Sequence, residues 1–252
     1  MKKNPLDQYK SDILKRTSSY EKNIDLKRAW HSFHSEIVGA KYAYNFFWLG
    51  IPIIQVPQDL QAMQEIIWEV KPDLIVETGI AWGGSIIFSA SMITLLEACG
   101  EIKNGNVIGI DIDIRSHNKK SILAHPLSKK ITMIEGSSID GEIIRKVGTL
   151  AKGKKRILVC LDSNHTHDHV LAELKAYAPL VSVGSYCIVG DTGVEDLPVG
   201  STSDRPWGKG NNPKTAVFEF LKENKKFIID KTIDTKLIIT GSPDGYLKRI
   251  KR

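Results

Sequence analysis

Two hydrophobic patterns alternate along this chain. Short unbroken apolar runs occur at Leu74-Ile-Val76, Val107-Ile-Gly-Ile110, Ile131–Ile134, Ile157-Leu-Val-Cys-Leu161 and Tyr186-Cys-Ile-Val189. Between them lie segments with helical spacing, such as Leu60, Met63, Ile67 and Val70. Short continuous runs fit strands covered on both faces, and the longer spacing fits helices that bury one side. The pattern predicts strands over Asp73–Thr78, Asn106–Asp111, Ile131–Ile134, Ile157–Asp162, Gly184–Val189, Phe227–Asp230 and Lys236–Thr240. It predicts helices over Asp59–Val70, Ser85–Cys99, Ile139–Ala151, His167–Tyr177 and Lys214–Asn224. This alternation predicts an α/β fold, a doubly wound and mostly parallel sheet of about seven strands with helices on both faces.

Residues 1–50 follow another pattern, rich in charge and in aromatics such as Tyr20, Trp30, Phe33, Phe46 and Trp48. They read as one or two helices and then a loop, an N-terminal extension ahead of a main domain over 51–252. The extension either covers the active site or forms a subunit contact, so a homo-oligomer is expected. Ile51–Pro57 reads as extended, because each proline disfavours helix in the residue before it. Asp191–Pro213 has no periodicity and is long for a connection inside a compact domain, the mark of a lid or binding loop. Trp207 lies there between Arg205 and Lys209. An aromatic face beside cations suits a sugar, including one linked to phosphate. The alternative is a plain linker.

Composition narrows the class. The chain has 252 residues, a formal charge of +6 and three cysteines, Cys99, Cys160 and Cys187. Its basic clusters read as solvated ends and turns, or as attraction to an anionic substrate or membrane surface. They lack the interleaved aromatics of a nucleic-acid site, so no nucleic-acid partner is expected. The cysteine spacing is neither a zinc ribbon nor a disulfide framework, and a reducing, cytoplasmic setting follows. No window is long and apolar enough to cross a bilayer.

Each of the five strand runs that opens the sheet ends near an acid: Glu77, Asp111, Glu135, Asp162 and Asp191. Ligands in doubly wound sheets bind at the carboxyl ends of the strands. After Glu77 come Gly79 and then Gly83-Gly-Ser85, which opens a helix; a glycine turn beneath a helix N-terminus suits a small charged cofactor. Asp162 and Asp191 end neighbouring strands, so their carboxylates converge. Two convergent acids repel each other unless a proton or cation lies between them, and a hard divalent ion suits oxygen ligands. In His165-Thr-His-Asp-His169 a strand end turning into a helix scatters the rings and leaves only His165 and His169 on one face, which argues against zinc.

These residues resemble class I S-adenosylmethionine-dependent methyltransferases. The order of parts is similar to catechol O-methyltransferase. The wording is similar to the cephalosporin hydroxylase and rhamnosyl O-methyltransferase family, at Trp48-Leu-Gly-Ile-Pro52, Pro57-Gln-Asp-Leu60, Glu77-Thr-Gly79 with Gly83-Gly-Ser85, Gly109-Ile-Asp-Ile-Asp-Ile-Arg115, Leu161-Asp-Ser-Asn-His165, Asp191-Thr192 and Ser242-Pro-Asp-Gly-Tyr-Leu247. It runs from about residue 45 to the end. The resemblance implies a Rossmann-like class I methyltransferase sheet and S-adenosylmethionine as cofactor. Glu77, Gly79 and Ser85 would hold its methionine moiety, Asp111 its ribose hydroxyls, and Ser137 and Ser138, after Gly136, would lie at the adenine. Asp162 would line the cofactor and, with Asp191 and Thr192, hold Mg²⁺ against the acceptor hydroxyl. Glu195, Asp196 or water are the alternatives for the third ligand. His165 lies three residues after Asp162, where catechol O-methyltransferase carries its lysine base, and would accept the acceptor proton; Asp162 and His165 are thus the expected catalytic pair. The sequence departs from the family at Gly190, which offers no ligand atom.

The implied activity is methyl transfer to a hydroxyl of a small-molecule or glycan acceptor, a sugar of a polysaccharide, glycolipid or secondary metabolite. The alternative is a protein that binds S-adenosylmethionine or S-adenosylhomocysteine as a partner to another enzyme. A nucleotide-linked oxidoreductase is disfavoured, because Gly79, Gly83 and Gly84 do not fit Gly-x-Gly-x-x-Gly.

Overall fold

The computed structural model describes residues 4–251. Two helices open the chain, α1 (Pro5–Tyr20) and α2 (Ile24–Gly39), each capped by an asparagine, Asn4 and Asn23. A hairpin follows, β1 (Phe46–Trp48) with β2 (Ile51–Ile53), where the sequence predicted a loop and then an extended segment. Leu49 and Gly50 both take positive φ, 47° and 87°, as a two-residue hairpin turn with the twist of its strands requires. Trp48 ties the hairpin down: its Nε1 donates to Ser91 Oγ at 3.1 Å, and its ring meets Phe88 edge-on.

The main domain runs α3 (Pro57–Val70), β3 (Leu74–Thr78), α4 (Gly84–Ala98), β4 (Asn106–Asp111), α5 (Ser116–Ala124), β5 (Ile131–Glu135), α6 (Gly141–Leu150), β6 (Ile157–Leu161), α7 (His167–Tyr177), β7 (Tyr186–Val189), α8 (Pro213–Glu223), β8 (Phe227–Ile229), α9 (Lys231–Leu237) and β9 (Tyr246–Arg249). The seven-stranded sheet has the order β5-β4-β3-β6-β7-β9-β8. Its first five strands are parallel, and β9 enters antiparallel between β7 and β8. Strand residues alternate between two cores. Ile75, Val107 and Leu158 face α3 and α4, whereas Leu74, Val76 and Val159 face α6, α7 and α8. Helix α4 is apolar all round and correspondingly buried.

The expected architecture holds, with two departures. The apolar run Lys236–Thr240 is not a strand. Asp230 caps α9 by accepting from Thr232 N, the helix takes residues up to Leu237, and the Thr240 hydroxyl then bonds the buried Asp59. The sheet position goes to β9, which buries Tyr246 and Leu247 and lets Lys248 reach Glu69 at the surface. Helix α5 was not foreseen, since it buries only Asn118 and Ile122. No described helix is long and apolar enough to cross a membrane.

Candidate active site

Strands β3 and β6 lie side by side, so their carboxyl ends bring two turns into backbone contact. Asp162 N donates to Thr78 O at 2.9 Å. A Cβ on Gly79, which has a φ of 88°, would lie 2.1 Å from Asp162 O. Only glycine lets the loop and the Asp162 turn lie together there. Gly84 opens α4 for a similar reason, with Pro52 O of the hairpin 2.3 Å from where its Cβ would be.

Glu77 is buried at the end of β3. Ser89 Oγ donates to its Oε2 at 3.3 Å, Ser85 also faces it, and Oε1 has no partner among the described residues. Burial pushes its carboxyl up to about 7. The group lines a small, partly open cavity of about 60 Å³ with Asp59, Ser85 and Asp162. An unpaired buried carboxylate oxygen beside a cavity fits an ammonium group. The residues present therefore suit the methionine end of S-adenosylmethionine. Asp59 is buried as well, accepting from Gly241 N at 2.8 Å and Tyr246 OH at 2.9 Å.

Asp111 shapes the loop from β4. Its Oδ2 accepts from Ile80 N at 2.7 Å and Ala81 N at 3.1 Å, and its Oδ1 from Asp113 N at 3.1 Å. These bonds use three of the roughly four acceptor sites of the carboxylate, so room for a ribose hydroxyl remains on Oδ1. Ser138 departs from expectation. Its hydroxyl is buried, 3.0 Å from His169 Nε2 and 3.5 Å from Ser163 Oγ, in a network that ends on the fully buried Glu173. That leaves the partly exposed Ser137 as the serine open to a ligand at this corner.

The three histidines part company, and His165 and His169 do not share the face expected of them, because His165 precedes the helix that begins at His167. His169 faces inward to Ser138 and Ser163, and His167 ties α7 to Thr215 and Glu219 of α8. His165 turns to the site, with Nε2 3.2 Å from Asp191 Oδ2. Asp162, His165 and Asp191 form one cluster whose donor atoms all lie within 4.8 Å of one another. Gln55 Nε2 donates to Asp162 Oδ2 at 3.1 Å. Burial, then the neighbouring Asp191 and Glu77, hold the Asp162 carboxyl well above the usual range. Two carboxylates facing a shared point, one of them desolvated, fit a divalent cation.

Thr192 does not complete this set as expected. Its side chain is fully buried and its hydroxyl donates to Pro243 O at 2.6 Å. Glu195 holds Gly210 N and Asn212 Nδ2, and Asp196 pairs with Lys214 Nζ at 2.6 Å. All three have structural partners, which leaves His165 and water beside the two aspartates.

Two neighbours of the site, Gln55 and His34, were not singled out from sequence, and neither was the place of a third, Trp207. Gln55 sits in the extended segment just before Pro57-Gln-Asp-Leu60. His34 of α2 packs against Gly193, with Cε1 3.1 Å from where a Cβ on that glycine would lie. Burial lowers its pKa, and Asp196 and Asp191 lie among its charged neighbours. Helix α2 therefore covers one flank of the site. Trp207 was tied to the loop but not to His165, whose ring it meets edge-to-face at 4.8 Å.

With this geometry in place, the comparison with known proteins decides the family. Residues 40–250 match the sequence profile of the rhamnosyl O-methyltransferase/CmcI family. The chain belongs to that family. A rhamnosyl O-methyltransferase of Mycobacterium tuberculosis (strain H37Rv) is 27% identical over 219 residues, 86% of this chain and 82% of that protein. Its counterpart in Mycobacterium leprae is 32% identical over 155 residues, 60% of this chain and 62% of that protein. Among solved structures, apo CmcI superposes with a TM-score of 0.57 at 19% identity, covering 83% of this chain and 78% of that one. A TDP-rhamnose 3′-O-methyltransferase from calicheamicin biosynthesis gives 0.52 at 15% identity, covering 77% and 79%. At such identities the likeness bears on the fold alone, an α/β fold that this rhamnosyl O-methyltransferase/CmcI family member shares with both structures.

Proposed function

We propose that the protein transfers a methyl group from S-adenosylmethionine to a hydroxyl oxygen of a sugar, in a polysaccharide, glycolipid or secondary metabolite. The observation that carries this reading is the Asp162–His165–Asp191 cluster, set against the Gly79 turn. Glu77 receives the methionine ammonium, and Asp111 with Ser137 faces the nucleoside. A Mg²⁺ ion held by Asp162 and Asp191 would lower the pKa of a bound acceptor hydroxyl. Gln55 fixes one oxygen of Asp162 and leaves the other for the site. His165 accepts the acceptor proton, and Asp191 stabilises the imidazolium that forms. The new C–O bond forms as the sulfonium C–S bond breaks, in line, so alignment and proton removal are what the chain provides.

The binding-only alternative draws on Gly190 and the neutral Thr192, and each has a structural role: the Asp162 carboxylate packs on the Gly190 backbone, and the Thr192 hydroxyl donates to Pro243 O. Residues 1–50 are an extension to a methyltransferase domain over 51–252. The exposed Leu6, Tyr9 and Leu14 of α1 support a homo-oligomer through it. Free cysteines, two of them buried, suit the cytoplasm. No nucleic-acid partner is included in this reading.

Calorimetry with S-adenosylhomocysteine, with Mg²⁺ and with a chelator, tests the reading. Binding by the parent and by Asp162→Ala, with transfer lost in the variant alone, supports it. Folded protein that binds none under either condition overturns it.

A further inference from the structure

The loop from Leu197 to Asn212 is pinned at its distal half. Asn212 Nδ2 donates to Gly208 O at 2.8 Å and also to Glu195, and Gly210 N donates to Glu195 Oε2 at 2.8 Å. Asn211 Nδ2 donates to Pro206 O at 3.0 Å, and its Oδ1 accepts from His167 N at 2.9 Å. These bonds set Trp207 beside His165, at the position an acceptor must reach. Trp207 is partly exposed, so the wall of the site here is an indole. The Arg205 guanidinium lies 5.6 Å from the Trp207 ring centroid. Its only acidic neighbour among the described residues is Asp204, at 3.6 Å and well exposed. Lys209 lies on the other side of Trp207 in sequence and has no ion pair among the described residues. The acids nearest this loop are already matched, Glu195 by amide donors and Asp196 by Lys214. The rim therefore carries the exposed Arg205, paired only with Asp204, and Lys209, without an ion pair among the described residues, next to an aromatic surface and above Asp162 and Asp191.

We propose that this loop selects the acceptor and that the acceptor is a hexose carrying a phosphate. The inference rests on the transfer reading above. Trp207 packs against the C–H face of the sugar and holds the ring beside His165. Arg205, with its planar fork of donors, and Lys209 take the phosphate oxygens. The Asp162–Asp191 end takes the hydroxyl to be methylated and the cationic rim takes the phosphate, so the two ends of the substrate are told apart. A nucleoside diphosphate sugar and a lipid diphosphate sugar share this chemistry.

The test is calorimetry and kinetics on the whole protein saturated with S-adenosylhomocysteine or S-adenosylmethionine. The probes are inorganic pyrophosphate, rhamnose 1-phosphate, TDP-rhamnose, a prenyl diphosphate rhamnose in detergent, and uncharged methyl rhamnoside. Phosphorylated sugars should bind more tightly than methyl rhamnoside, and whichever of the last two phosphorylated probes binds better names the source. The double variant Arg205→Gln/Lys209→Gln should raise KM for phosphorylated sugars roughly tenfold or more, with kcat little changed. Trp207→Ala should weaken charged and neutral sugars alike. Both variants should keep parental affinity for S-adenosylhomocysteine, which shows that they fold. Equal binding of charged and neutral sugars, or a double variant with parental KM, overturns the proposal while leaving methyl transfer intact. Loss of S-adenosylhomocysteine binding in the parent overturns both.

Discussion

The Asp162 carboxylate fills the space that a side chain on Gly190 would need. A Cβ on Gly190 would lie 2.4 Å from Asp162 Oδ1 and 2.8 Å from its Cγ. Strands β6 and β7 are paired here, with Leu161 opposite Val189, so the two positions cannot move apart. Gly190→Ala should push the carboxylate out of line and lower kcat by about 100-fold, since a displacement near 1 Å costs that much. Affinity for S-adenosylhomocysteine should stay near the parental value. Stopped-assay kinetics and calorimetry on the same preparation check this, and parental turnover would show that the position of Asp162 is not critical.

Glu77 gives a pH dependence of known sign. Its carboxyl titrates about 7 when folded, against 4.5 as the reference value. Between these values the folded chain keeps a proton that the unfolded chain has lost. Stability therefore falls as pH rises through that window, by on the order of 3 kcal/mol in total. Glu77→Gln should remove this slope and weaken S-adenosylhomocysteine binding, because the ammonium loses its carboxylate. Urea unfolding between pH 4.5 and pH 8 measures the slope.

Thr192→Val separates structure from chemistry. The hydroxyl donates to Pro243 O in a fully buried place, so its loss should cost roughly 1–3 kcal/mol of stability. Activity and its response to Mg²⁺ should be unchanged at a temperature where the variant is folded. A lowered Mg²⁺ affinity would return Thr192 to the metal site.

His165→Asn should leave S-adenosylhomocysteine binding intact and reduce turnover by about 100-fold or more, the usual worth of a positioned proton acceptor. Added imidazole should restore part of the rate. Rescue is the informative readout, since a purely structural histidine would not respond to a soluble base.

The parallel strands were legible because each is a short apolar run, covered on both faces in all but the edge strand β5, and their ends were legible as acids. What escaped the sequence depended on partners far along the chain. Thr240 ends an apolar run that looks like a strand until Asp59, far earlier in the chain, takes its hydroxyl. Tyr246–Arg249 looks too charged for an interior strand, because Lys248 and Arg249 reach out to Glu69 and to backbone carbonyls. At the site, Asp162, Asp191 and His165 could be named from their strand ends. The commitments of Thr192 and Ser138 could not, because Pro243 and His169 meet them only in the folded chain.

His34 approaches Gly193 from α2, outside the sheet, whereas Glu77, Asp162 and Asp191 all stand on strand ends. Reactivity and clearance are thus encoded in separate stretches of polypeptide. Exchanging the first forty residues between relatives would resize the entrance and leave the reacting groups where they are.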